Sequence, residues 1–174
     1  MIFSAIRKTQ PTVEPVSLNE AKANMRIPDG QTIDDNLINS YISAAREQAE
    51  QFIDRPICQA EYMLVYDIVK GTSFRLKYPA SQVISVTYHN SEHETITPSF
   101  TYDQDLNLLI FDEHIEGKNL KVSIASGISH GFPESIKQAI LMLVTDFYTG
   151  RASAEYSNKA AQMLLMPFKN RPIL

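Results

Sequence analysis

The sequence has a single cysteine, Cys58, and no tryptophan. A lone thiol excludes any disulfide within the chain, which fits a reducing compartment. No apolar run approaches the roughly 20 residues that a membrane helix needs. The six glycines never fall into G-x-G-x-x-G or Walker spacing, so no phosphate cradle is written in the sequence. Positive charge is in deficit: 16 Lys and Arg stand against 20 Asp and Glu, a formal net charge of -4. Electrostatics alone therefore give no reason to expect nucleic-acid binding, and no basic patch is interleaved with aromatics. The opening Met1-Ile2-Phe3-Ser4-Ala5-Ile6-Arg7-Lys8 is too short and too soon charged for a secretory signal, so the expectation is a protein of the producing cell's cytoplasm. Internal repeats and low-complexity tracts are absent.

What remains is an ordinary globular composition over 174 residues, 44% hydrophobic and 21% charged. Such a chain buries roughly two-thirds or more of its unfolded surface and needs no metal or disulfide staple. We read one domain, 1–174, with an extended N-terminal arm over 1–16. Ser17-Leu18-Asn19-Glu20 is a capping box opening a short helix to about Arg26. A long helix follows to about Asp54, with Leu37, Ile38, Tyr41, Ile42, Ala45, Ala49, Phe52 and Ile53 as its buried stripe. Arg46 and Glu50 pair at i,i+4 on its outer face in this reading.

Over 59–126 β-branched and aromatic residues alternate with polar ones, as in Tyr62, Leu64, Tyr66, Ile68 and in Leu120, Val122, Ile124. Turn signals at Lys70-Gly71, Tyr78-Pro79, His89-Asn90-Ser91, Thr97-Pro98 and Glu116-Gly117 divide them into a small antiparallel sheet of five to seven strands. Pro133 opens a helix to about Thr149, and a last one runs from about Asn158 to Met166. The expectation is α+β: a mostly α-helical bundle of about four helices, from 17–58 and 132–167, with the sheet inserted between the second and third, and a tail over 168–174.

Catalytic signals are thin. Gly127-Ile128-Ser129-His130-Gly131 is a literal G-x-S-x-G between a strand and a helix. A nucleophile elbow needs a histidine downstream, and none follows His130. The histidines at 89, 93, 114 and 130 lie near acids, the residue types a metal site uses, but in no diagnostic spacing. No catalytic residue, cofactor or metal is expected.

Charge is unevenly spread. Glu92, Glu94, Asp103, Asp105, Asp112, Glu113 and Glu116 fall in 90–116 without one Lys or Arg, which suits a surface that repels nucleic acid. The C-terminal stretch is basic and carries Met163-Leu164-Leu165-Met166-Pro167-Phe168. It reads either as a last helix packed on the core or as a docking tail in which Met166, Phe168, Lys169 and Arg171 meet a partner.

Four stretches in order resemble the head–tail connector (head completion, or adaptor) proteins of tailed bacteriophages and prophages. They are Glu14-Pro15-Val16-Ser17-Leu18-Asn19-Glu20-Ala21-Lys22 with Met25-Arg26-Ile27; Asp35-Asn36-Leu37-Ile38 running through Ala44–Glu50 to Arg55-Pro56-Ile57; Leu76-Lys77-Tyr78-Pro79 with Val83–Tyr88; and Val122–Gly131 followed by Pro133–Leu141 and Phe147-Tyr148. The resemblance covers about 14–168. It implies a non-enzymatic virion subunit that assembles with itself as a ring, typically of twelve, beneath the portal protein. The ring extends the DNA channel and offers a stopper or tail-completion protein its docking surface. DNA passes without specific binding, no membrane is involved, and the acidic segment suits a channel wall or rim. Such a protein occupies the head–tail junction of the virion after assembly in the host bacterial cytoplasm. A non-viral cytoplasmic adaptor module is the alternative, and a small hydrolase using Ser129 a remote one.

Overall fold

Ser17 and Glu20 close the capping box that their spacing calls for. The Glu20 N–H donates to Ser17 Oγ at 3.2 Å, and the Ser17 N–H donates to a Glu20 carboxylate oxygen at 2.7 Å, opening α1 (Leu18–Asn24). The computed structural model from which these distances come describes residues 3–28, 30–150 and 158–170. The chain divides into two compact units, one from segments 1–12 and 59–127, the other from 13–58 and 128–174.

The helical unit holds α1, α2 (Asp35–Ile53), α3 (Glu134–Thr149) and α4 (Lys159–Leu165), followed by a short 3-10 turn, Met166–Phe168. The stripe on α2 packs Ile38, Ile42, Ala45, Ala49 and Ile53 against Ile136, Ala139, Ile140, Leu143 and Val144 of α3. Phe52 and Phe147 lie at the margin of this core, only partly buried. The helix stops one turn before Pro56 because Asp54 takes a left-handed conformation (φ 55°) and its N–H returns to the Glu50 carbonyl. Asn158 caps α4 by accepting the Ala161 N–H at 2.9 Å. Where the chain leaves this unit and re-enters it, the Ile128 N–H donates to the Ile57 carbonyl at 2.8 Å.

Among the described residues the other unit is a six-stranded antiparallel sheet: β1 (Phe3–Arg7), β2 (Ala60–Arg75), β3 (Gln82–His89), β4 (Thr95–Ile96), β5 (Phe100–Asp103) and β6 (Leu108–Ser126). The order is β1-β2-β6-β3-β4, with β5 also on β6. Tyr62, Leu64, Tyr66, Val86, Leu109, Phe111, Leu120, Val122 and Ile124 form its own core.

This sheet corrects the expectation of a mostly helical bundle with a small insertion. Among the described residues strand accounts for 35% and helix for 33%, so the fold is a sheet-rich α+β. Two features of the sequence hid the extent of the sheet. The N-terminal segment supplies an extra strand, β1, paired to β2 from Phe3↔Tyr66 to Arg7↔Tyr62. The glycine pairs Lys70-Gly71 and Glu116-Gly117, which read as turns, face each other within uninterrupted strands of 16 and 19 residues. Gly71 takes φ 124° beside a register shift, as a bulge allows. Gly117 is there because β3 comes too close for a side chain. A Cβ at that position would overlap the His89 carbonyl oxygen and lie 2.6 Å from the Tyr88 ring.

Candidate functional site

Polar groups inside the helical unit are fully engaged. Arg46 and Glu50 do not lie on an outer face as their spacing alone suggested, since they are 2% and 8% exposed. Arg46 Nη1 donates to Glu50 Oε2 and Arg46 Nε to Glu14 Oε2, both at 2.9 Å. Glu50 Oε1 also accepts the Ile57 N–H at 2.9 Å, which ties the end of α2 to the chain leaving the unit. Lys22 is equally buried, and its ammonium donates to the Gln31 carbonyl at 2.7 Å and to Asp35 at 2.9 Å. Among the described residues no buried side-chain nitrogen or oxygen lacks a partner. These groups brace the fold and leave nothing aimed at a ligand. Helical periodicity contained the signal: 38, 42, 46, 50 and 53 share one face, so Arg46 and Glu50 stand in line with buried isoleucines.

Ser129 and His130 face solvent, with Ser129 Oγ 2.8 Å from His130 Nδ1. The ring is thus engaged by its own neighbour, and among the described residues no carboxylate is bonded to it. His89 and His93 line one open groove of about 630 Å3 on the sheet unit, together with Glu116 and Lys118. His114 lines a second. No group of three or more His, Cys, Asp or Glu among the described residues is arranged to hold a metal ion.

The seven acids all lie on the sheet unit, at four places. Glu92 and Glu94 occupy the β3–β4 turn, where Asn90 Oδ1 accepts both of their N–H groups at 3.0 and 2.9 Å. Asp103 and Asp105 belong to the β5–β6 turn, in which Asp103 accepts the Leu106 N–H. Asp112 and Glu113 line a cleft of about 340 Å3 with Tyr88, Ile96 and His114. Glu116 is 2.9 Å from the Lys70 ammonium directly across the ladder, so the lysine-free segment has a cation beside it in space.

In the basic C-terminal stretch, Met166 is 48% exposed while Phe168 packs against the helical core. The Lys169 ammonium sits 4.9 Å over the Phe52 ring. The Asn170 N–H donates to the Ile53 carbonyl at 2.7 Å, filling one of the carbonyls left open at the end of α2. The chain through Asn170 is thus laid along α2. Arg171 falls outside the described residues.

The model of the head completion protein family matches residues 16–163. No curated protein matches the chain. Among solved structures, a chain from the neck of an empty gene transfer agent particle, computed with C6 symmetry, superimposes with a TM-score of 0.73 at 14% identity. A chain from the neck of the native particle, computed with C12 symmetry, gives 0.67 at 15%, and one from the native virion 0.69 at 14%. Each alignment covers 100% of this chain and 98% of the other. At such identities the likeness establishes the fold.

Proposed function

The chain belongs to the head completion protein family, a structural subunit of the head–tail junction, and we propose that it works there as one member of a ring under the portal. The observation that carries this reading is the reach of the family match, 16–163, which takes in most of both units. The symmetric necks from which the similar chains come support the ring. The role is non-enzymatic: it lies in contacts with the portal on one side and a stopper or tail-completion protein on the other.

In this reading the acids of the sheet unit belong to a channel wall or rim. Each phosphate contact made by a cation adds salt-dependent affinity for DNA, and a surface rich in carboxylates withholds such contacts from DNA that must slide past. The C-terminal stretch, with Met166 exposed, supplies a partner contact. The protein acts at the junction of the virion after assembly in the host cytoplasm. Labelling purified particles with an antibody to this chain tests the assignment: signal confined to the neck is expected, and signal absent from particles or spread over the head contradicts it.

A further inference from the structure

Among the described residues the sheet unit ends in two open edges, and their directions differ in a way that matters for a ring. On one side β1 pairs with β2, and no strand among the described residues pairs with it on its other side. At the opposite side β3 pairs with β6, while β4 reaches only Tyr88 and His89. The stretch from Gln82 to Thr87 therefore has no strand beyond it among the described residues. The two edges are of similar length, five and six residues.

All pairings are antiparallel, so the strands alternate in direction from β1 through β2 and β6 to β3. Four strands is an even number, and β1 and β3 therefore run in opposite directions. A second copy set beside the first in the same sense brings its β3 antiparallel to the first copy's β1. The two sheets then continue one alternating ladder. An odd number of strands would have forced a parallel junction at the same place.

An open edge presents a row of unpaired N–H and C=O groups, which is a template for another strand. In an antiparallel pair, alternate residues bond inward and the others point out. The Lys8 N–H donates inward to the Glu61 carbonyl at 2.8 Å, so by alternation Phe3 and Ala5 direct their backbone groups to the open side. Each edge also carries an exposed isoleucine. Ile6 is 44% exposed on β1, and Ile84 is 47% exposed at the register shift of β3.

We propose that copies of this chain join head to tail by adding the β1 edge of one sheet to the Gln82–Thr87 edge of the next, with Ile6 and Ile84 beside the junction. The contact uses a different patch on each partner, as a heterologous interface must, and repeating it closes a ring when the rotation permits. The proposal rests on the ring reading above and names the surface that builds it.

Two measurements test it on assembled particles. In the first, Ile6→Cys and Ile84→Cys are placed in the same chain, as are Ser4→Cys and Ser85→Cys in a second variant, and the particles are oxidised. A ladder of covalent oligomers longer than dimers is expected from at least one pair, and no ladder from the single substitutions. Dimers from Ile6→Cys alone would overturn the proposal in favour of β1 meeting β1. The second measurement needs no substitution: backbone amides of 3–7 and 82–87 should exchange at least tenfold more slowly in the neck than in the free protein. Rings that are present with both edges still exchanging freely would overturn the edge junction and spare the ring. Absence of the unmodified chain from particles would overturn the ring reading and this junction with it.

Discussion

The guanidinium of Arg46 and the carboxylate of Glu50 meet at 2.9 Å with almost no exposure to water, one turn apart on α2. A buried pair is costly to break from one side, because the charge left behind has lost its partner without regaining solvent. Glu50 carries a second duty through the Ile57 N–H. Glu50→Ala should therefore destabilise the helical unit by about 3–5 kcal/mol. Glu50→Gln should cost less, since its amide oxygen still takes that N–H. Urea titration of the purified variants checks this, and an unchanged midpoint for Glu50→Ala would contradict it.

A second prediction concerns alkaline pH. Burial pushes the Tyr66 hydroxyl up to about 12, against an ordinary value of 10.0, although it accepts the Lys77 N–H. The folded state therefore holds this proton more tightly than the unfolded one. The stability it contributes is fully present below pH 10 and is lost as pH rises from about 10 through 12, a loss of roughly 2–3 kcal/mol. Tyr66→Phe should flatten that part of the stability profile. A wild-type profile that stays level over this range would contradict the assignment.

Gly117 offers a steric test. A methyl group there meets the backbone of His89 and the ring of Tyr88, and backbone does not swing aside as a flexible side chain does. Gly117→Ala should cost about 1–3 kcal/mol by overpacking. Thermal denaturation of the variant gives the answer, and a melting temperature equal to that of the parent would show that β3 and β6 are not so close.

The helix positions were legible in the sequence because capping residues and 3.6-residue periodicity are local signals. Ser17, Asn158 and the stripe from Ile38 to Ile53 stand where their chemistry puts them. The sheet was legible in kind and not in extent. Glycine after a charged residue marks a turn on local evidence, and only cross-strand neighbours reveal that Gly71 is a bulge and Gly117 a point of close approach. β1 was hidden for a related reason, since its partner lies more than 50 residues away. The candidate docking residues divide similarly. Exposed Met166 is as its position suggests, while the packing of Phe168 and the placement of Lys169 over Phe52 depend on the fold of α2.

The core assignment shifts with the same facts. Ile140 on α3 is fully buried, whereas Phe52 and Phe147 are not. Ile140→Ala should therefore cost about 2–5 kcal/mol, and Phe52→Ala less than full burial of its ring would imply. Denaturant unfolding of the two variants should rank them in that order, and the reverse order would move the centre of the core.

The central claim, that this chain completes the junction between head and tail, is tested most directly by removing it. In a producing strain that lacks the protein, electron microscopy should show DNA-filled heads and free tails that fail to join, and adding the purified protein to that lysate should restore joined particles. Normal tailed particles in its absence would contradict the account.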